Sequence, residues 1–108
     1  MSIQQLVSSQ RVLQTPIGEV LGSSYRWIGG QYCAIHTERG IVGCGIYDCK
    51  TASHFGMAVA IARGTPEVPL VEPEDLLQSR IVEVSEPAAK LGIRVGMTGM
   101  EALTQMLS

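Results

Sequence analysis

A cysteine between two glycines is the feature of this sequence best suited to chemistry. Cys44 is flanked by Gly43 and Gly45, and Asp48 follows it by four residues. Glycine neighbours leave room for a substrate to approach the sulfur, and a thiolate is a strong nucleophile once its pKa is lowered. Asp48 stands at a predicted strand-to-helix turn, where unpaired backbone N–H groups attract anions. The pattern predicts Cys44 as a nucleophile, with Gly43 and Gly45 in a binding site.

A cysteine nucleophile needs a base, and the sequence holds two histidines, His36 and His54. We expect one of them to take the proton from the thiol, and Asp48 to orient it. The predicted catalytic residues are therefore Cys44, Asp48, His36 and His54. The alternative for Cys44 is a small buried side chain that only packs, which is the commonest role of a free cysteine. Each histidine has a plain alternative as a polar residue near a turn or on a helix.

Cys49 is predicted at the first position of a helix, where the helix N-terminus stabilises a thiolate. We expect it to be reactive yet incidental to function. Cys44, Cys49 and His54 follow the spacing C-x4-C-x4-H. This spacing is not a zinc pattern, and the sequence has no second cysteine pair to complete one. We therefore predict no metal and no cofactor.

The segment before the last predicted helix is a second candidate site. It contains Gly96, Thr98 and Gly99, and exposed N–H groups beside a threonine hydroxyl can hold a phosphate or a carboxylate. The P-loop pattern and its lysine are absent. The alternative is structural, because Thr98 and Glu101 have the spacing of a capping box. Arg63, which ends an apolar segment, is the predicted positive partner of a small anionic ligand.

A hairpin is predicted to carry Cys44. Branched and aromatic residues predict strands at residues 32–37 and 41–47, joined by a loop at residues 38–40 in which Gly40 is free to take a positive φ. The second strand is apolar on both faces, which indicates a central position in the sheet.

The register of this hairpin decides which residue faces Cys44. If Thr37 pairs with Ile41, Ala34 lies opposite Cys44. A slip of one residue would instead place Cys33 opposite Cys44, and only that register makes a pair of cysteines. The slipped register needs a longer loop, so we expect the first one.

The chain after the hairpin is predicted to form a β-α-β unit. Asp48 is the expected N-cap of a short helix, and Gly56 its C-terminal stop. Residues 57–63 allow either helix or strand, and we prefer a strand because it completes a compact parallel crossover.

Other elements are predicted on both sides of this unit. Residues up to 13 form either a strand pair or a frayed end, and the extended segments that follow are expected to break at Gly22. Towards the C-terminus the pattern predicts a helix starting at Pro73, a strand at residues 81–84, a helix capped by Ser85 and a last helix capped by Thr98.

Composition excludes several classes of protein. The chain has 108 residues, of which 45% are apolar and 17% charged, so we expect one folded domain over residues 1–108. The longest apolar run covers residues 57–62, too short to span a membrane. The net charge of −2 argues against nucleic-acid binding. Three cysteines and no signal-peptide pattern predict a cytoplasmic protein with reduced thiols.

Two motifs together resemble the YunC-like family, small bacterial and archaeal proteins classed as a domain of unknown function. One is G-I-V-G-C-G-I-Y-D at residues 40–48, and the other is A-K-L-G-I-R-V-G-M-T-G-M-E-A-L at residues 89–103. The likeness covers about residues 32–107 and leaves residues 1–30 as a poorly matched N-terminal extension. The resemblance implies a two-layer fold, with a sheet on one side and helices on the other. It implies no established activity.

We therefore expect an α+β domain with a mixed, mainly antiparallel sheet of four to six strands and helices packed on one face. Residues 41–46 and 57–62 look buried on both sides although the helices are few, so we expect a homo-oligomer, with a dimer favoured. The leading functional hypothesis is a small metabolite bound around Cys44, Gly45 and Asp48 near a subunit interface. The alternatives are a thiol-dependent enzyme and a structural or interaction module without a site.

Overall fold

A six-stranded sheet forms the body of the protein. The computed structural model describes residues 6–67 and 69–108. The order of strands in the sheet follows the chain, so each strand lies beside its neighbours in sequence. The strands are β1 (Val7–Thr15), β2 (Gly18–Trp27), β3 (Gly30–His36), β4 (Ile41–Gly43), β5 (Val59–Ala62) and β6 (Ile81–Val84).

The helical elements are short. They are α1 (Cys49–His54), a 3-10 helix (Pro73–Leu77), α2 (Glu86–Lys90) and α3 (Gly99–Leu107). Ser85 and Thr98 accept hydrogen bonds from the third amide of α2 and α3, as predicted for N-caps. Glu101 completes the predicted capping box at Thr98.

The predicted β-α-β unit is confirmed. β4 and β5 run parallel, while the other neighbouring strands are antiparallel. α1 makes the crossover, and β5 confirms the strand assignment within residues 57–63. The crossover is compact because Asp48 caps α1 at its start and Gly56, with a φ of +70°, turns the chain at its end.

The N-terminal part of the chain is a long hairpin of β1 and β2, so residues 7–13 belong to one strand that pairs with the next, and they form neither a frayed end nor a strand pair by themselves. Residues 1–5 lie outside the described part. β2 continues through Gly22, where a break was expected. Gly22 instead provides space, because a Cβ atom there would lie 2.7 Å from Cγ of Pro73 in the 3-10 helix.

The expected register of β3 and β4 is wrong. His36 pairs with Ile41, so the loop has four residues, 37–40, and not three. Thr37 closes this longer loop: its hydroxyl oxygen accepts the Gly40 N–H at 3.0 Å, and its own N–H donates to the Gly40 carbonyl at 2.9 Å. A side chain that bonds the backbone a few residues away stabilises such turns. Gly40 has no positive φ; a Cβ there would meet the Ala58 carbonyl at 2.6 Å.

The larger core lies between one face of the sheet and the 3-10 helix, α2 and α3. Its buried side chains from the sheet include Cys33, Ile35, Val42, Ala60 and Ala62, and those from the helices are Leu76, Ala88, Ala102, Leu103 and Met106. Alternate residues of a strand face opposite sides. This pattern places Cys33, Ile35 and Val42 on the helix-covered face.

α1 lies on the opposite face. Its Cys49 and Ala52 pack against Val59 and Ile61 of β5, in a separate small core. The α+β class and the mixed, mainly antiparallel sheet are confirmed, and α1 is the exception to helices packed on one face. The rest of this second face, towards β1, carries the exposed pair Val12 and Leu21.

In the part of the chain that the structure describes, no helix has both the length and the apolar character needed to cross a membrane.

Candidate functional site

Two cysteines face each other at the end of β4. The β3–β4 ladder pairs Ala34 with Gly43, and it continues by one step, because the Cys44 N–H donates to the Cys33 carbonyl at 3.2 Å. Cys33 therefore lies directly opposite Cys44, on the helix-covered face. Cys33 is wholly buried and Cys44 is 8% exposed. Both thiols are free.

Cys44 does not lie within a long central strand as expected. β4 ends at Gly43, and the chain turns at residues 44–47, where the Tyr47 N–H donates to the Cys44 carbonyl at 3.4 Å. The turn forms because the Tyr47 ring folds back over Gly43, and a Cβ on Gly43 would lie 2.5 Å from the ring. Gly43 thus allows the turn that brings Cys44 to the strand end.

The pairing of the two thiols shifts their pKa values in opposite directions. The Cys33 thiol opposite Cys44 is the main reason that the pKa of Cys44 is lowered from 9.0 to about 6. Burial opposes the shift, and backbone amides, first that of Ile46, add to it. The same interaction, with burial, raises the pKa of Cys33 above its ordinary range. The pairing thus favours ionisation of Cys44 over that of Cys33.

Arg63 is the cation nearest the turn. β4 and β5 are parallel, so their C-terminal ends meet at one edge of the sheet, and Gly45 comes beside Arg63. The Arg63 Nε atom would lie 3.9 Å from a Cβ on Gly45. Arg63 is exposed, and within the described residues the ion pairs involve Arg11 and Arg26 instead.

Arg63 also lines a surface cleft of about 590 Å³ on the side of the 3-10 helix. Glu74, Asp75 and Arg80 are among the other lining residues, and Cys44 does not line the cleft. Asp75 is engaged with the backbone N–H of Glu72 at 2.9 Å, and Arg80 with the Gly96 carbonyl at 2.9 Å. Arg63 therefore lies at both places, because it lines the cleft and stands beside Gly45 in the Cys44 turn.

Asp48 caps α1. Its carboxylate accepts the Lys50 N–H at 3.0 Å and the Thr51 hydroxyl at 2.7 Å. The Thr51 hydroxyl and then the Lys50 amide lower the pKa of Asp48 below its ordinary value. The N-cap prediction is confirmed. The carboxylate is used to cap the helix. Its other expected role, orienting a histidine base, has no partner in this arrangement.

Neither histidine is brought to Cys44. His36 lies on the face opposite Cys33 and Cys44, where its Nε2 is 3.2 Å from the Ser23 hydroxyl. His54 sits in the last turn of α1, on that same opposite face. Both histidines thus lie where the alternative interpretation had them, as polar residues near a turn and on a helix.

Cys49 is at the start of α1, as predicted, but is buried beneath it, with 3% exposure. Its thiol donates to the Val59 carbonyl at 3.7 Å. Burial raises the pKa of Cys49 to about 11, with smaller contributions from Glu83 and Asp48. The expectation of a reactive Cys49 is wrong, because desolvation outweighs the short helix.

The amide groups of residues 96–99 are all used within the protein. The N–H groups of Gly96 and Gly99 donate to the Ile81 and Ser79 carbonyls at 2.8 and 2.9 Å. Those of Met97 and Thr98 donate to Arg94 and Glu101, at 3.2 and 3.0 Å. A side chain on Gly99 would strike the Leu76 carbonyl. This segment packs the start of the last helix against the 3-10 helix. It therefore has the structural role that was the alternative to an anion site.

Aromatic residues form a wall behind the Cys44 turn. Tyr25 stacks on Tyr32 with a centroid distance of 4.5 Å, and Tyr32 meets Tyr47 edge-on at 6.3 Å. Burial first, and then the charge of Cys44, raises the pKa of Tyr47 to about 12. Tyr47 therefore stays a neutral phenol, and its ring fixes Gly43.

A row of polar side chains extends from the cysteines across the sheet. Cys33 pairs with Ser24, and Ser24 pairs with Ser9. The two serine hydroxyls are 2.8 Å apart. The sequence contains no local signal for this row, because its members come from different strands and meet only through the register.

No group of three or more metal-binding side chains occurs among residues 6–67 and 69–108. The groups around Cys44 include backbone amides and the Arg63 guanidinium, which can hold an anion beside the sulfur.

Fold and site define a small α+β protein in which two buried free cysteines face each other at the C-terminal end of β4. The chain belongs to the family described as Domain of unknown function (DUF1805), whose model matches residues 43–106, more than half of the chain. The matched segment begins one residue before Cys44 and does not include Cys33.

A solved structure shares the whole fold. The crystal structure of a protein of unknown function, TA1206 from Thermoplasma acidophilum, superposes with a TM-score of 0.80 over 98% of this chain and 99% of that one, at 17% identity. The likeness includes the N-terminal hairpin outside the family segment and shows the fold alone. Among curated proteins, none matches this sequence.

Proposed function

We propose that this protein acts through the Cys44 thiolate on a small electrophilic compound bound at the joint C-terminal edge of β4 and β5. The observation that carries the proposal is the position of Cys33 directly opposite Cys44, where the Cys44 N–H donates to the Cys33 carbonyl at 3.2 Å, in a site that lowers the pKa of Cys44. A thiolate is the reactive form of cysteine, and a depressed pKa keeps it populated at neutral pH.

The proposed thiol chemistry needs no histidine base. In the alternative drawn from the sequence, His36 or His54 removes the proton from Cys44. Here the Cys33 thiol and the Ile46 amide stabilise the ionised sulfur without accepting its proton. Cys44 thus enters the reaction already deprotonated, in the manner of cysteines activated by a lowered pKa.

The metabolite-binding hypothesis becomes part of the same proposal. Arg63 lies beside Gly45 and lines the neighbouring cleft. A guanidinium holds a carboxylate or a phosphate group in a planar, two-pronged hydrogen-bond arrangement. We therefore infer that the compound carries an anionic group, which Arg63 holds while its electrophilic atom meets the sulfur. Gly45, which is exposed, keeps the approach open, whereas Gly43 is covered by the Tyr47 ring.

Two further assignments stay proposals. We propose that the chain falls in the YunC-like branch of its family, supported by the motif at residues 89–103. We also propose a cytoplasmic location, supported by three free cysteines.

Alkylation of each cysteine with iodoacetamide, followed by mass spectrometry across a range of pH, tests the function. Cys44 is expected to react fastest, with a rate that is half-maximal near its pKa of about 6 and level at higher pH. Cys49 serves as the internal control, since it is buried with a raised pKa. A Cys44 that reacts only once the protein unfolds would leave a structural module as the remaining interpretation.

A further inference from the structure

We infer that Cys33 and Cys44 form a reversible dithiol–disulfide couple that consumes hydroperoxides, an inference that rests on the proposed nucleophilic role of Cys44 and gives its substrate class. In this site Cys44 is the attacking residue and Cys33 the resolving residue. The anionic group assigned to Arg63 would then be carried by the organic part of the hydroperoxide.

The backbone register brings the two cysteines within the range of Cα separations that disulfides span. Directly opposite residues of an antiparallel pair have Cα atoms about 4.5–5.5 Å apart, which lies within the range of protein disulfides, about 4.4–6.8 Å. Cys33 and Cys44 occupy such opposite positions on the same face. Each thiol also shifts the pKa of the other, as expected of side chains that face each other across the strand pair.

The difference in exposure between the two cysteines indicates which of them reacts first. Cys44 is 8% exposed beside the exposed Gly45, whereas Cys33 has no exposure. An oxidant from solvent therefore reaches Cys44 first, and Cys33 reacts only with Cys44. The narrow access favours a compact oxidised group, such as the O–O bond of a hydroperoxide, over a bulky disulfide-bonded molecule.

The reaction balances with one hydroperoxide per pair. The Cys44 thiolate attacks the outer oxygen, the O–O bond breaks, and the alkoxide or hydroxide that leaves takes a proton from water. Cys44 becomes a sulfenic acid. The Cys33 sulfur then attacks the Cys44 sulfur, the S–O bond breaks, and the Cys33 proton leaves with the hydroxyl as water. A dithiol reductant returns both cysteines to thiols and is itself oxidised to a disulfide.

The pairing also explains why Cys33 reacts only after Cys44 has been oxidised. While Cys44 is ionised, its negative charge keeps the proton on Cys33. Oxidation of Cys44 removes that charge. The pKa of Cys33 is then held up less strongly, so Cys33 can ionise and attack the Cys44 sulfur.

Cys49 offers a matched control. It is also buried and free, but it packs with α1 on the opposite face of the sheet. Its sulfur contacts the Val59 carbonyl, and it is expected to take no part in the couple.

In the test, the reduced protein is treated with one equivalent of hydrogen peroxide, and its peptides are then mapped by mass spectrometry. We expect a cross-linked pair of peptides containing Cys33 and Cys44, lighter by two hydrogen atoms, which dithiothreitol restores to thiols. Cys33→Ser keeps a hydrogen-bond donor but no second sulfur, so Cys44 is expected to stop at a sulfenic acid that dimedone traps. Cys49→Ser should behave as the wild type.

Cys44→Ser should slow peroxide consumption by more than about tenfold. Rapid alkylation of Cys44 together with no Cys33–Cys44 cross-link after peroxide would overturn this inference while the proposed function stands. A Cys44 that resists both alkylation and peroxide in the folded protein would overturn both.

Discussion

Cys33 lies directly opposite Cys44 across the β3–β4 pair, where the Cys44 N–H donates to the Cys33 carbonyl at 3.2 Å. The two cysteines meet because the loop before β4 has four residues, which brings them to opposite positions. A thiol donor in a largely buried site is worth more to an ion than the same donor in water. This relationship, more than any motif in the sequence, makes Cys44 a candidate for chemistry.

Removal of the donor should raise the pKa of Cys44. Cys33→Ala leaves the sulfur without its main stabilising bond, so we expect the half-maximal alkylation of Cys44 to move up by at least about one pH unit. Cys33→Ser, which retains a donor, should shift it less. Alkylation rates of Cys44 against pH measure the effect, and Cys49→Ala, a change outside the pair, is the control. Identical profiles in all variants would show that Cys33 has no electrostatic role.

Gly43 is predicted to be intolerant of a side chain. Gly43→Ala places a Cβ about 2.5 Å from the Tyr47 ring, which must move, and we expect the free energy of unfolding to fall by about 1–3 kcal/mol. Gly45→Ala is the matched control, since its Cβ would meet only Arg63 at 3.9 Å. Urea unfolding measures both variants. A Gly43→Ala protein as stable as the Gly45→Ala protein would mean that the turn does not depend on Tyr47 packing.

Arg63 should favour anionic reagents. Arg63→Gln removes the positive charge beside Gly45, so iodoacetate should lose rate relative to neutral iodoacetamide by a factor of roughly two to five, which corresponds to a surface ion pair of about 0.4–1 kcal/mol. Arg80→Gln, on the same cleft but bonded to the Gly96 carbonyl, is the control. An unchanged ratio of the two rates in Arg63→Gln would remove Arg63 from the site.

A homo-oligomer, with a dimer favoured, stays a prediction. The face of the sheet that α1 leaves open carries Val12 and Leu21, and Phe55 and Met57 beside it are 76% and 46% exposed. Exposed large apolar residues on one face are typical of surfaces that bind another protein. Light scattering should give the mass of a dimer, and Leu21→Glu should shift it towards the monomer more than Ile46→Glu, a change at another exposed apolar residue. A monomer at micromolar concentration would contradict the prediction.

Local sequence signals predicted most of the fold, because each acts through neighbours in the chain. Asp48, Ser85 and Thr98 cap the helices that follow them, and the parallel crossover over β4 and β5 follows from its short connection. A side chain that bonds an amide two or three residues away depends little on the rest of the protein. These elements are therefore readable without the tertiary structure.

The candidate site was only half predictable, because it depends on contacts between strands. Cys44 was found from its glycine neighbours, but Cys33 was assigned to the wrong face, since the hydroxyl of Thr37 stabilises a loop one residue longer than expected. A shift of one residue turns every side chain of a strand over. The histidines were chosen by type alone, and the same register places His36 on the far face of the sheet.

The most direct test of the central claim is the ultraviolet absorbance of the thiolate in the folded, reduced protein, titrated against pH. The account predicts a step of one thiolate with a midpoint near 6, absent from Cys44→Ser and retained in Cys49→Ser. A step that appears only at the ordinary cysteine value of about 8.5, or one that persists in Cys44→Ser, would contradict the assignment of Cys44 as the reactive thiolate.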